Sequence, residues 1–232
     1  MLGWRSRIGI AMLWGMFDES YEHDRVTGHA TRVTMGGCVG SFEAWQCFTL
    51  DWAKALEMVG IEMFHMADFE ANQGEFRGWG DDQPKRRRLL AHLLDILTEY
   101  VTVYIGAEAR VETPGDPTRE IYRKLVIDCL KNAARDVGYR GEQKMAIVFA
   151  RHRDFSVEKA LAYKAVVDSF EPIFGPITVD DPLRMCPLQA ADIVAYEMSR
   201  IQRPGAPERY PFCRLRDAAR AAGTPFTISS RP

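Results

Sequence analysis

The sequence predicts a single α/β domain with a mixed central sheet flanked by helices. Segments of strand character and helix character follow one another along most of the 232 residues, an order that packs as helices on a sheet. Some of the strand segments, Ile8 to Phe17 and Met145 to Phe149, are continuous apolar runs of the kind buried on both faces. No repeat or low-complexity stretch divides the chain. A hydrophobic fraction of 47% with 27% charged residues is that of an ordinary globular protein.

The elements follow from local pattern. After the first strand, Asp24, Gly28 and His29 form a turn, and Ala30 to Val39, with its Thr-x-Val-Thr alternation, reads as the partner strand. Phe42 to Val59 places Trp45, Phe48, Trp52, Ala55, Leu56 and Val59 at helical spacing, so these tryptophans are core, and Gly60 ends the helix. Ile61 to Met66 reads as a short strand, followed by a loop with Gly74, Gly78 and Gly80. A helix opens near Pro84 with Leu89, Leu90, Leu93, Leu94 and Leu97 on its apolar face. Val101 to Val111 alternates as a strand, Pro117 to Val137 is a long helix, and Met145 to Phe149 is the second buried strand. Val157 to Phe170 is helical, Ile177 to Val179 extended, and Pro187 to Gln202 a last helix opened by proline. Pro204-Gly205-Ala206-Pro207 then leads into an Arg-rich end, which suggests a domain over residues 1 to 203 and an extension over 204 to 232.

A net charge of −2 and a pI near 6.2 exclude a globally basic nucleic-acid coat. The charge is unevenly spread: residues 1 to 82 carry 6 Lys/Arg against 13 Asp/Glu, and the remainder carries 24 against 19. The first part favours cations. In the second, Lys85, Arg86, Arg87 and Arg88, and the arginines from Arg200 onward (Arg203, Arg209, Arg214, Arg216, Arg220), are candidate phosphate contacts, although solvated faces are the ordinary use of such runs. The five cysteines, Cys38, Cys47, Cys129, Cys186 and Cys213, are odd in number and lack a Cys-x-x-Cys pair, which argues against a disulfide framework or zinc ribbon and for a reducing cytoplasm. Arg5 to Phe17 has the outline of a signal peptide, but Asp18 and Glu19 stand where a cleavage site belongs; no other run is long enough to span a membrane.

Two acidic segments carry the chemistry. Asp18 and Glu19 follow a buried strand, at the sheet edge where ligands bind in open α/β folds. Adjacent strand residues face opposite sides, so one of the pair faces a given site, and Asp18 is the candidate. In the last helix Gln189, Asp192 and Tyr196 fall at i, i+3 and i+7 on one stripe, and Ala190, Ala191 and Ala195 permit close approach to the sheet. Glu197 lies about 140° around the helix from Asp192. Burying such carboxylates costs several kcal/mol unless a cation meets them, which points to a metal. A third cluster, His65, Asp68 and Glu70, supplies N/O ligand types if the chain turns at Ala67.

In combination these segments carry a resemblance. Phe17-Asp18-Glu19-Ser20, Gly36-Gly37, Phe64-His65-Met66-x-Asp68-Phe69 and Pro187-Leu188-Gln189-Ala190-Ala191-Asp192-Ile193-Val194-Ala195-Tyr196-Glu197, in this order over roughly residues 10 to 202, resemble the domain of unknown function 3800 family. The resemblance implies a ribonuclease-H-like fold in a bacterial protein. Asp18 and Asp192 would take that fold's metal positions, with Glu19 as a further catalytic acid and Gln189, Glu197, His65 and Asp68 as accessory positions. One position departs from the family pattern: the buried strand Ile147-Val148-Phe149 runs into Ala150-Arg151, where an acid is expected. Two ions about 4 Å apart need several carboxylates, so Asp154, Asp180, Asp181 or Glu108 would have to substitute. The first expectation is a magnesium- or manganese-dependent nuclease acting on nucleic acid. The alternatives are a catalytically silent nucleic-acid- or protein-binding module of the same fold, and a non-nuclease metal hydrolase built on His65, Asp68 and Glu70.

Overall fold

The computed structural model describes residues 12–24, 26–111, 119–137, 144–151, 159–162, 164, 165, 168 and 173–231. Strands β1 (Leu13–His23), β2 (Ala30–Ser41), β3 (Val103–Arg110), β4 (Met145–Ala150), β5 (Phe174–Asp180) and β6 (Phe226–Arg231) form one sheet in the order β5-β4-β1-β2-β3-β6. The pairs β1/β2 and β2/β3 are antiparallel; β1/β4, β4/β5 and β3/β6 are parallel. The helices are α1 (Phe42–Glu57), α2 (Met66–Ala71), α3 (Gln83–Tyr100), α4 (Arg119–Val137), α5 (Pro187–Ile201) and α6 (Tyr210–Ala222). This is the mixed sheet flanked by helices, in a single domain, that the sequence predicts.

Local sequence sets the helix starts. The Ser41 hydroxyl accepts from the Ala44 N–H at 3.1 Å, so α1 begins as β2 ends. Asp82 caps α3 by accepting from the Lys85 N–H at 2.9 Å, with Pro84 in the first turn.

The strands sort their residues onto two cores with period two. Met16, Cys38, Tyr104 and Val148 pack with α1, α3 and α5; Phe17, Val39, Ile105, Ile147 and Phe149 pack with α4. The two strands bordering β1 therefore carry apolar side chains on both faces. Helix α5 is apolar nearly all round, its Leu188, Ala190, Ala191, Ile193, Val194 and Ala195 having no exposed surface, as expected of a helix enclosed in the core.

Three expectations need correction. Strand β1 does not end at Phe17 but continues to His23, so Asp18 and Glu19 lie within it, opposite Gly36 and Met35 of β2. The hairpin with β2 carries the strand on, while β4 stops at Ala150. Residues 61 to 65 form no strand, because their backbone donors are taken by side chains: Glu62 and Met63 donate to the Glu75 carboxylate at 2.7 and 3.0 Å, and Phe64 to Gln189 at 3.0 Å. The segment expected as an extension beyond residue 203 contributes α6 and the edge strand β6 to the same sheet, through pairing from Tyr104–Phe226 to Ala109–Arg231. The expected helix Val157 to Phe170 falls partly outside the described residues, as do Asp154 and the start of the first strand; residues 159–162 are helical.

All five cysteines are free thiols. Among the described residues no helix is long and apolar enough to cross a membrane.

Candidate functional site

Beyond Phe17, strand β1 outruns its parallel neighbour: the β1/β4 pairing closes at Phe17–Phe149, and β4 ends one residue later. The result is a cleft of about 390 Å³ lined by Asp18, Glu19, Tyr21, Met63, Phe64, His65, Ala150, Arg151, Asp181, Pro182, Gln189 and Asp192. Residues 18, 65, 150 and 192 thus meet at one place although they span most of the sequence.

Helix α5 brings Asp192 there through close packing. Asp18, Gly36 and Gly106 sit side by side across β1, β2 and β3. A β-carbon at Gly36 would lie 2.4 Å from Ala195 Cα, and one at Gly106 2.4 Å from Met198 Sδ. The two glycines therefore let α5 approach the sheet more closely than any side chain allows, one turn from Asp192.

The carboxylates are held by few donors. Asp18 is half-buried, and its Oδ1 accepts from the Glu19 N–H at 2.8 Å. Burial pushes its carboxyl well above the usual range, and the charges of Glu19 and Asp192 add to this, against that N–H and the Lys159 ammonium. Asp192 is buried and accepts from the Met66 N–H at 2.6 Å. Burial raises it too, partly offset by His65 and the Met66 N–H. Two recessed carboxyls, both raised by burial and Asp18 further by Asp192, mark a place where a cation is stabilising.

His65 lies between two acids, its Nδ1 3.0 Å from Asp68 Oδ2 and its Nε2 3.8 Å from Asp192 Oδ1. Burial disfavours its charged form, but Asp192 and Asp68 outweigh this and raise the imidazole above its ordinary value. Glu70 is drawn off to Arg209 at 2.6 Å.

Gln189 lines the cleft with its amide fully engaged. Its Oε1 accepts from Trp52 Nε1 at 2.8 Å and from the Phe64 N–H at 3.0 Å, and its Nε2 donates to the Pro182 carbonyl at 2.9 Å. It ties α5 to α1 and to the loop that presents His65. Gln189→Leu is expected to lower unfolding free energy by about 3 kcal/mol, because buried partners lose their bonds at about 1–3 kcal/mol each. A urea midpoint unchanged from the parent would show that the ties are energetically idle.

Glu197 turns away from the cleft. It is 1% exposed and faces Arg209 Nη1 at 3.4 Å, the same guanidinium that binds Glu70. Burial raises its carboxyl to about 7, against the pull of Arg209. The folded protein thus holds this proton more tightly than the unfolded chain does at its ordinary 4.5. The contribution is full below that value and is lost as pH rises from there to about 7. Glu197→Gln is expected to remove this fall, up to about 3 kcal/mol. Urea midpoints for both proteins on either side of the window test it; parallel curves would contradict it.

Glu19 points to the other face of β1, towards α4. Burial, then the Glu19 charge, raises the Tyr122 phenol well above its usual range. The ammonium of Lys159, itself without exposed surface, lies 3.3 Å from Glu19 Oε2 and donates to the Ala150 carbonyl oxygen. Sequence reasoning missed Lys159; the only signal was a lysine beside Ala160, Leu161 and Ala162. It also named Arg151 only as the neighbour of Ala150. Asp181 lines the cleft, while its Oδ1 accepts from the Leu183 N–H at 2.9 Å. Glu108 is occupied elsewhere, beside Arg32 at 3.6 Å.

Of the basic run, Lys85 sits over the Trp79 ring at 3.5 Å, and Arg86 is buried, bonded to Asn72 and 4.2 Å above Phe69; Arg87 and Arg88 are exposed. The later arginines meet acids of this chain: Arg203 with Glu22 at 3.1 Å, Arg214 with Asp95, and Arg216 with Glu208 at 2.5 Å.

Among the described residues no group of three or more His, Cys, Asp or Glu converges as a ligand set. Of the acids lining the cleft, Asp181 accepts from the Leu183 N–H and Glu19 pairs with Lys159, so the carboxylates placed for a metal are Asp18 and Asp192. That donor chemistry fits one hard divalent cation completed by water, magnesium or manganese rather than zinc.

No family model matches the sequence, and no curated protein matches it. Among solved structures the chain is similar to the ribonuclease H2 from Pyrococcus horikoshii OT3, with 14% identity and a TM-score of 0.43 over 93% of this chain and 90% of that one. It is also similar to Bst-RNase HIII in complex with Mn2+, with 10% identity and a TM-score of 0.39 over 84% of this chain and 55% of that one.

Proposed function

We propose that the protein is a magnesium- or manganese-dependent nuclease of ribonuclease-H-like architecture that cleaves phosphodiesters of nucleic acid. The observation that carries this reading is the meeting of Asp18 of β1 and Asp192 of α5 in one cleft, each raised by burial and Asp18 further by Asp192. A sheet in which three antiparallel strands are continued by two parallel ones, with the acid on the central strand, supports it as well. Asp18 and Asp192 would hold the ion, which when bound polarises a phosphoryl oxygen and lowers the pKa of a water. His65, held by Asp68 beside Asp192, is placed to exchange a proton at the cleft. Exposed Arg151 lies on the cleft rim, where a phosphate oxygen would be met.

Labelled single- and double-stranded DNA and RNA incubated with and without Mg2+ or Mn2+ test the proposal. Cleavage is expected with metal only, and Asp192→Asn should abolish it. Absence of cleavage on every substrate, with a melting temperature indifferent to metal, would sink it. Most arginines near the end of the chain are paired internally, and the cations taken here to meet phosphate are Arg87, Arg88 and Arg151. The log–log salt slope of duplex binding is therefore expected near −3, at about 0.9 per phosphate; a slope near −10 would mean a much larger basic track. Ala150 favours the alternative of a binding module that does not cut, since it contributes no carboxylate to the cleft.

A further inference from the structure

We infer that Lys159 is a built-in cation that takes the place of a second metal ion, so that the site works with a single divalent ion. This rests on the metal-dependent reading above and states how many ions that site takes. Three observations converge on it. The end of β4, beside Asp18, presents the methyl group of Ala150 to the cleft instead of a carboxylate. The Ala150 carbonyl oxygen and the Glu19 carboxylate, two further oxygen donors at this junction, both face the Lys159 ammonium. That ammonium is wholly buried, with the Phe149 ring 5.7 Å away.

A buried ammonium needs acceptors for its three protons and a negative charge nearby. Glu19 supplies the negative charge and one acceptor and Ala150 a second acceptor, so both are drawn towards the ammonium and away from an ion. A second divalent ion here would also stand within a few ångströms of a fixed positive charge, in a medium that screens poorly. The ammonium differs from an ion in being tethered: it stays when metal leaves, and it holds Glu19 on the α4 side of β1. Lys159 is thus a positioning residue. It acts through Glu19 and the end of β4, and it reaches the reacting phosphate only through them.

Manganese titration of the full chain, followed by electron paramagnetic resonance and calorimetry, reads the ion count directly. One Mn2+ per chain, with the spectrum of an isolated ion, is expected. Two ions per chain with retained cleavage would overturn the inference and leave the nuclease reading standing; no binding at all would overturn both. The double variant Ala150→Asp with Lys159→Met introduces a carboxylate and removes the charge while keeping the side-chain length at 159. It is expected to bind two Mn2+ and to give the spectrum of a spin-coupled pair; one isolated ion in the folded variant would overturn the inference. Lys159→Arg, which keeps the charge, is expected to stay at one ion, and a second ion there would equally overturn it. The parent titration decides the matter even if the double variant does not fold.

Discussion

Asp18→Asn is expected to abolish metal-dependent cleavage, by about a thousandfold or more, without lowering the stability of the metal-free protein. The substitution keeps size and most hydrogen bonding but removes one of the two charges that attract the ion. An ion's electrostatic contribution to the transition state is several kcal/mol, and about 4 kcal/mol corresponds to that factor. Stability moves the other way. In the parent, ionising Asp18 works against burial and the charges of Glu19 and Asp192, so a neutral amide removes a cost that a cation otherwise offsets. Added Mn2+ should then raise the melting temperature of the parent alone, because selective binding to the native state is what stabilises it. Cleavage rates and melting curves with and without Mn2+ check both halves. An unfolded Asp18→Asn variant, together with a parent indifferent to metal, would make Asp18 a structural residue.

Gly36→Ala is expected to destabilise the protein by about 3 kcal/mol, the upper part of the usual cost of overpacking, and to weaken Mn2+ binding at the same time. The added β-carbon would lie 2.4 Å from Ala195 Cα, 2.6 Å from its N and 2.9 Å from its Cβ. Two of those atoms are helix backbone, so the clash is relieved only if α5 lifts from the sheet. Asp192 lies three residues from Ala195 on the same helix, about 4.5 Å along its axis, and moves with it, while Asp18 stays on the strand opposite Gly36. Denaturant midpoints read the first effect and manganese titration the second. A variant that loses stability but binds the ion as the parent does would mean that the cleft tolerates the shift, and that the glycine serves packing alone.

The elements carried by periodicity were legible in the sequence. Trp45, Phe48 and Trp52 of α1 are core, as their spacing required, and the apolar run of β4 is buried on both faces. The prolines at the starts of α3 and α5 mark helix ends because they act within one turn of chain. Elements whose backbone bonds are made to distant partners were not legible. Residues 61 to 65 look like a strand, yet their N–H groups go to Glu75 and Gln189, which local pattern does not reveal. The strand β6 is six residues long and is defined by pairing with β3, more than a hundred residues earlier.

The same division runs through the site. The sequence by itself determined which residue types were available: an acid after an apolar run at Asp18, an acid amid alanines at Asp192, and an alanine at 150. It also determined that α5 could come close, since Gly36 and Ala195 carry almost no side chain. Only the tertiary structure decided that β1 outruns β4, that the opening so made is the cleft, that Gln189 is consumed in tying elements together, and that Glu197 faces Arg209. It alone brought Lys159 to Glu19 and to the Ala150 carbonyl. The physical reason is that patterning reports which face of an element avoids water, a property of neighbours along the chain, whereas a buried charge is explained only by the partner that meets it, and here that partner lies 140 residues away.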